Sequence, residues 1–154
     1  MALPIAVGQV APDFTLKDQN QQDIRLSQFR GQNVVLVFYP ADFSPVCSQE
    51  HACFLNELKQ FEGLQAQVVG LSVDHVWAHK AFANQLKLSY PLLADFHPKG
   101  EVAKKFGLYL EDKGIANRAV VIVDKAGVIR FVKVYDIFQV PDIAELVSAL
   151  NQLR

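Results

Sequence analysis

An uninterrupted apolar run at residues 34–39, Val-Val-Leu-Val-Phe-Tyr, leaves few folds open to this chain. A short run of β-branched and aromatic residues without polar alternation is typical of a strand buried on both faces. Pro40 ends the run, because proline cannot donate to a strand ladder. The sequence therefore predicts a strand in the middle of a covered sheet.

Helix and strand patterns alternate along the rest of the chain. The order predicts an α/β protein with a thioredoxin-like fold, a three-layer α/β/α sandwich with a mixed central sheet. Short peripheral strands are expected within the first thirty residues, followed after the buried strand by a helix through Phe54, Leu55, Leu58 and Phe61 that stops at Gly63. A strand at 68–73 and helices at 77–88 and 101–106 come next. The chain is expected to end with a hairpin of 118–123 and 128–134 around a turn at 124–127, and a helix at 141–150 with Pro141 in its first turn.

Composition and charge limit the classes of protein to which this chain can belong. With 154 residues, 51% of them hydrophobic and 20% charged, the chain is expected to form a single domain over 1–154. The net charge of −1, spread along the chain, indicates no nucleic-acid partner and no anionic membrane surface. No apolar run reaches the ~18 to 20 residues of a membrane span, and no leader pattern opens the chain. We therefore expect a cytoplasmic protein.

Cysteine and histidine spacing argues against a metal centre. The two cysteines, Cys47 and Cys53, are too few for a disulfide framework. His51 lies between them, but the other three histidines are distant in sequence, so no zinc-ligand spacing is present. No metal and no other cofactor is expected.

Three helix-start signals coincide just after the buried strand. Ser44 is a good N-cap and Pro45 suits the first helical position, which places Cys47 third. The first-turn amides have no partner within the helix and the macrodipole is positive there, so an anion is stabilised. At Cys47 that anion is a thiolate, the form of cysteine that attacks electrophiles. The alternative is an inert buried thiol.

These residues resemble a known family signature. Pro40, Ser44 and Cys47 match the peroxiredoxin pattern of Pro, three residues, Thr or Ser, two residues, Cys, and Glu50 matches a frequent acidic residue three positions on. The resemblance is to the alkyl hydroperoxide reductase/thiol-specific antioxidant type, within its one-cysteine or bacterioferritin-comigratory-protein-like groups. It extends over nearly the whole chain, through the opening segment at 7–14, the strand at 34–40 and the strand at 117–124.

The resemblance implies a thiol-dependent peroxidase. Cys47 is expected to attack hydrogen peroxide or an organic hydroperoxide and become a sulfenic acid, while Arg118 and Ser44 polarise the leaving oxygen. Pro40 is expected to shield the sulfur and Glu50 to orient Arg118. The implied partners are the peroxide, then thioredoxin, glutaredoxin or a low-molecular-weight thiol as reductant, and a second copy of the chain in a homodimer.

Cys53 is the candidate resolving cysteine, but it departs from the family pattern. Relatives with a resolving cysteine on the same helix have it five positions after the first, whereas the separation here is six. Six helical residues rise by about 9 Å, and a disulfide needs α-carbons within ~7 Å. The helix must therefore unwind for Cys53 to act. The alternative, which we favour from sequence, is an apolar thiol packed beside Phe54.

Two other interpretations of the function stay open. One is a non-catalytic redox sensor or holdase, in which oxidation of Cys47 changes a partner contact. Another is a thioredoxin-like disulfide oxidoreductase, although Ser44 stands where a first Cys-x-x-Cys cysteine would be. We expect His51 at the rim of the site, and Phe43 and Trp77 to be packing residues.

Overall fold

A computed structural model describes residues 4–153 and contains a five-stranded mixed sheet at its centre. The strands are β1 (Thr15–Lys17), β2 (Asp23–Arg25), β3 (Asn33–Phe38), β4 (Ala66–Ser72), β5 (Leu92–Ala94), β6 (Tyr109–Leu110), β7 (Ile115–Ala116), β8 (Ala119–Val123) and β9 (Ile129–Val134). The helices are α1 (Pro45–Asn56), α2 (Leu58–Gly63), α3 (Val76–Leu86), α4 (Glu101–Lys105) and α5 (Ile143–Asn151), with a 3₁₀ helix at Leu26–Phe29.

The central sheet has the strand order β5-β4-β3-β8-β9. β3 is the middle strand, and all six of its residues are buried, as the apolar run predicts. β3, β4 and β5 are parallel, while β8 is antiparallel to both β3 and β9. The carboxyl ends of β3, β4, β5 and β9 and the start of β8 therefore meet at one edge of the sheet, which we call the upper edge.

Both faces of the sheet are covered, because successive side chains of β3 point to opposite sides. Val35 and Val37 pack into one cluster with side chains of α1, α2, α3 and α5. Val34, Leu36 and Phe38 pack into a second cluster with α4 and the N-terminal strands. This arrangement confirms the predicted three-layer thioredoxin-like fold with a mixed sheet.

Several element boundaries differ from the sequence prediction. The single helix expected through Phe61 is two helices, because Glu57 leaves helical geometry at φ −102° and ψ 11°. The last helix is capped by Asp142, whose side chain accepts from the amide of Ala144, so Pro141 precedes the helix instead of lying in its first turn. The strand β5 and the β6–β7 hairpin were not predicted.

Within residues 4–153, no helix is both long enough and apolar enough to cross a lipid bilayer.

Candidate active site

The predicted site residues lie together at the upper edge of the sheet. In the antiparallel pairing of β3 with β8, Phe38 is opposite Ala119. Arg118 immediately precedes Ala119, so it lies beside the segment that leaves β3 and carries Pro40 and Ser44. Sheet register thus brings Arg118 to Cys47, from which it is separated by 71 residues in sequence.

Helix α1 begins as the sequence predicts. Ser44 is the N-cap in extended geometry, with φ −65° and ψ 147°, and Pro45 is the first helical residue. The Ser44 Oγ accepts a hydrogen bond from the amide of Cys47 at 3.3 Å. The thiol of Cys47 therefore lies in the first turn of α1, where the helix dipole favours negative charge. Cys47 has no solvent exposure.

Arg118 is held by three acceptors in three directions. Its NH2 group donates to Cys47 Sγ at 3.2 Å, its NH1 group to Glu50 Oε1 at 2.5 Å, and its Nε to the carbonyl oxygen of Ile137 at 2.9 Å. The side chain is 1% exposed, so the guanidinium is fixed with one edge toward the sulfur. The contact with Ile137 was not predicted, because a backbone carbonyl leaves no residue-type signal.

Glu50 is the buried partner of Arg118. Burial raises the pKa of the Glu50 carboxyl to about 8, and the Arg118 guanidinium opposes that rise. Its Oε1 accepts from Arg118, while Oε2 is buried without a hydrogen-bond partner among the described residues. Pro40 is also buried, whereas Ser44 is partly exposed. The structure brings Cys47, Glu50 and Arg118 into contact, and the catalytic roles assigned to them stay predictions.

The expectation that His51 lies at the rim is wrong. The ring has no solvent exposure, and its Nδ1 is 2.5 Å from the hydroxyl oxygen of Tyr90. The Tyr39 ring packs edge-on against it, with ring centroids 4.3 Å apart. Burial, with the charges of His79 and Arg118, lowers the pKa of His51 to about 3. The imidazole is therefore neutral and adds no cation beside Cys47.

The two aromatic residues expected to pack behave differently. Trp77 is 62% exposed, so the packing prediction is wrong for it. It lies in the first turn of α3, and the side chains that this helix buries are those of Val76, His79, Phe82 and Ala83 instead. Phe43 is 48% exposed, and its ring still contacts Phe82 edge-on at a centroid distance of 5.2 Å.

Cys53 lies on α1 as well, six residues after Cys47, and both thiols are free. Cys53 is partly buried and immediately precedes the fully buried Phe54, so its interpretation as an apolar thiol packed beside Phe54 stays a prediction. The helix is continuous from Pro45 to Asn56, so the two sulfurs are on different faces of an intact helix.

A polar cluster that the sequence analysis missed lies beside Tyr39, just after β3. Donor atoms of Asp42, Asp74 and His79 are within 4.8 Å of one another, close enough to hold a metal ion. They are already engaged: Asp42 accepts from the Tyr39 hydroxyl at 2.6 Å and contacts His79 Nδ1 at 2.7 Å, and His79 Nε2 donates to the Leu93 carbonyl. These hydrogen bonds link the segment after β3 to α3 and β5.

Comparisons with known proteins agree with this geometry. Residues 7–132 match the AhpC/TSA family. The chain is 44% identical over 126 residues to alkyl hydroperoxide reductase E of Mycobacterium tuberculosis, covering 81% of this chain and 82% of that protein. It is 34% identical to a putative peroxiredoxin of Synechocystis, covering 97% and 79%. The crystal structure of the peroxidoxin BcpB from Mycobacterium tuberculosis superposes with a TM-score of 0.86 at 30% identity, covering 96% of this chain and 97% of that one.

Proposed function

Because the chain belongs to the AhpC/TSA family of peroxiredoxins and is a thiol-dependent peroxidase, we propose that Cys47 is the thiol that attacks the peroxide. The observation that carries this proposal is the 3.2 Å contact between the Arg118 guanidinium and Cys47 Sγ. A fixed cation and a helix N-terminus both stabilise negative charge, which the attacking sulfur carries. Cys53, on the same helix, has no such cation against its sulfur among the described residues.

The proposed step is a displacement at oxygen. The Cys47 thiolate attacks one peroxide oxygen, a sulfur–oxygen bond forms and the oxygen–oxygen bond breaks. The sulfur becomes a sulfenic acid, and the leaving oxygen takes up a proton and departs as water or an alcohol. Negative charge develops on the leaving oxygen, so donors aimed at it lower the barrier.

Two side chains are suited to supply those donors. Arg118 is held by Glu50 and the Ile137 carbonyl and needs no reorganisation as charge develops. The Ser44 hydroxyl accepts from the Cys47 amide, and its own proton has no acceptor among residues 4–153, so it is available to a peroxide oxygen.

The cycle requires a peroxide and a thiol reductant, as in the family as a whole. We propose hydrogen peroxide and organic hydroperoxides as substrates, and thioredoxin, glutaredoxin or a low-molecular-weight thiol as the reductant. We place the cycle in the cytoplasm, where such reductants keep cysteines as thiols.

We also propose that the protein forms a homodimer through the upper edge. The segments that leave the strand ends there carry four exposed aromatic side chains: Phe43, Trp77, Phe96 and Phe138. Large exposed aromatic residues grouped at one end of a domain favour a protein–protein contact.

Mapping the oxidised residue tests the assignment of Cys47. In a Cys53→Ser variant treated with one equivalent of peroxide, a sulfenic-acid trap should label Cys47. Adding reductant should restore the thiol over many turnovers, whereas a redox sensor would be oxidised once. A protein that consumes peroxide with Cys47 unlabelled, or with Cys47 replaced by serine, would contradict the assignment.

A further inference from the structure

Two neighbouring cavities lie at the lower edge of the sheet, which is the edge opposite the candidate active site. β3 and β4 begin at this edge and β8 ends there. The larger cavity has a volume of about 420 Å³, within the ~300–1,000 Å³ of small-molecule sites, and the smaller has a volume of about 220 Å³. Asn33, Lys125 and Leu153 line both. We call the two the lower-edge cavities.

Asn33 brings an unpaired polar side chain to both cavities. It is 4% exposed, and its Oδ1 is buried without a hydrogen-bond partner within residues 4–153. The five residues that follow it in β3 are all apolar. A buried carbonyl oxygen without a donor lowers stability, because it has lost its water and gained nothing in return. A ligand that donates a hydrogen bond to Oδ1 would remove this cost.

The larger cavity is suited to an anion. Lys125 and Arg130 line it, and both are exposed. Arg130 Nε donates to Asp124 Oδ2 at 2.7 Å, but the two terminal nitrogens of Arg130 have no hydrogen-bond partner in the described part of the chain. Asp124 already accepts from Arg130 and from two amides of its own turn. The free donors of the Arg130 guanidinium match the geometry of a phosphate group.

The smaller cavity is suited to a flat ring. Leu64 and Leu153 give it apolar walls, while Lys125 Nζ and Gln65 Oε1 hydrogen-bond each other at 2.8 Å. The Asn33 amide presents a donor and an acceptor side by side. Adenine offers the complementary pair, since an asparagine amide binds its N6 amine and N7 together. Guanine has two acceptors at the same edge and would leave Oδ1 unpaired.

We propose that the lower-edge cavities bind an adenine nucleotide, with the base in the smaller cavity and the phosphate in the larger one. Asn33 Oδ1 accepts from the exocyclic amine and Nδ2 donates to a ring nitrogen. Arg130 and Lys125 donate to the phosphate oxygens. The site is separated from Cys47 by the length of β3, and it does not depend on the proposed peroxidase function.

Isothermal titration calorimetry of the full chain with adenosine monophosphate tests this proposal. Binding should be saturable with a Kd below ~1 mM, the upper end of ordinary metabolite affinities. Adenosine lacks the phosphate and guanosine monophosphate lacks the donor for Oδ1, so each should bind at least about tenfold more weakly. Inorganic phosphate should also bind more weakly.

Three results of this titration would overturn the proposal. The first is adenosine monophosphate that does not bind saturably. The second is equal affinity for the adenine and guanine nucleotides, which would remove the pairing with Asn33. The third is inorganic phosphate that binds as tightly as the nucleotide, which would leave a site for an anion only.

Two variants separate the base from the phosphate. Asn33→Leu replaces the amide by an apolar group of similar size, so affinity for adenosine monophosphate should fall at least about tenfold and the preference over the guanine nucleotide should disappear. Arg130→Gln should weaken adenosine monophosphate toward the affinity of adenosine and keep the preference for adenine. Unchanged affinity in either variant would overturn the role of that residue.

Arg25→Gln is the matched control, because Arg25 is an exposed arginine on β2 that lines neither cavity. Its Kd for adenosine monophosphate should stay within about twofold of the parent, as expected for a distant site. Oxidation of Cys47 by peroxide should also stay within about twofold in all three variants, which shows that they are folded. A loss of nucleotide affinity in Arg25→Gln equal to that in Arg130→Gln would overturn the proposed phosphate contact.

Amide NMR spectra locate the nucleotide without any substitution. Adenosine monophosphate should shift the amide signals of residues 33, 63–65, 124–126 and 152–153. The signals of residues 44–50, in the candidate active site, should stay unchanged. Shifts confined to the upper edge of the sheet would overturn the placement of the nucleotide in the lower-edge cavities.

Discussion

Arg118 connects the Cys47 sulfur to two other parts of the protein through hydrogen bonds. One side chain contacts Cys47 Sγ, Glu50 Oε1 and the Ile137 carbonyl, and it is almost fully buried. A lysine could carry the charge but could not present three donors in one rigid plane. The geometry of this guanidinium should therefore control how fast Cys47 reacts.

Removing the Arg118 guanidinium should slow oxidation of Cys47 by about 100- to 1000-fold, the usual effect of losing one donor to a developing oxyanion. Arg118→Gln alone would leave the buried Glu50 carboxyl without its hydrogen-bond partner, at a cost of roughly 1–3 kcal/mol. The variant to measure is therefore Glu50→Gln/Arg118→Gln, compared by stopped flow with Glu50→Gln.

The single variant Glu50→Gln is the control for that comparison. Its amide oxygen can still accept from Arg118, so we expect a loss of no more than about tenfold. Equal oxidation rates in the single and double variants would show that Arg118 does not stabilise the transition state.

At the scale of one element, helix α1 buries two neighbouring titratable groups that shift in opposite directions. Burial raises the pKa of Glu50 from its ordinary 4.5 to about 8. It lowers the pKa of His51 from 6.5 to about 3, with the charges of His79 and Arg118 acting in the same direction. In the folded protein, burial therefore favours the neutral form of both groups.

The contributions of Glu50 and His51 to the free energy of unfolding should change in opposite directions with pH. Glu50 contributes stability that is complete below pH 4.5 and is lost as the pH rises toward 8. His51 contributes stability that is complete above pH 6.5 and is lost as the pH falls toward 3. Each contribution has a limiting slope of about 1.4 kcal/mol per pH unit.

Urea unfolding of the parent and variants between pH 3 and pH 8 can measure these slopes. Relative to the parent, Glu50→Gln should gain stability as the pH rises through 4.5–8. Relative to the parent, His51→Leu/Tyr90→Phe should gain stability as the pH falls through 6.5–3. Parallel curves for parent and variants would show that neither group is held neutral by burial.

At the scale of the whole molecule, the upper edge of the sheet gathers the reactive groups and the exposed aromatic side chains. Parallel strands end together, so loops from distant parts of the chain converge there. Ligand and partner sites of α/β folds lie at the carboxyl ends of the strands for the same reason.

A charge at the exposed upper edge should dissociate the proposed homodimer. Trp77 and Phe138 are 62% and 81% exposed and take no part in the site contacts. Trp77→Glu/Phe138→Glu should sediment as a monomer at concentrations where the parent is a dimer, since a buried charge opposes association. Lys59→Glu, at an exposed position of α2, is the matched surface control. A parent that sediments as a monomer, or an unchanged dimer in the variant, would contradict this interface.

The parts of the fold that carry a local signal could be predicted from the sequence. The run that forms β3, the turn between β8 and β9, and the Ser44–Pro45 start of α1 each specify their geometry within a few residues. β5 could not be predicted, because three residues are too few to show a period. The end of α1 at Glu57 has no glycine or proline to mark it.

Burial of individual side chains was less predictable, because it depends on distant partners. His51 is polar yet buried, since Tyr90 supplies a hydrogen bond from 39 residues away. Asp42 and His79 pair across 37 residues with no spacing signal. Arg118 was identified only through the family resemblance, because an arginine before a strand has no distinctive pattern of its own.

The most direct measurement is the rate constant for oxidation of Cys47 by hydrogen peroxide, in the Cys53→Ser variant by stopped flow. The fixed Arg118 and the first turn of α1 predict a rate constant at least about 100-fold above that of a free cysteine thiol. It should fall toward the free-thiol value in Glu50→Gln/Arg118→Gln. A Cys47 that reacts no faster than a free thiol would contradict its assignment as the peroxide-attacking residue.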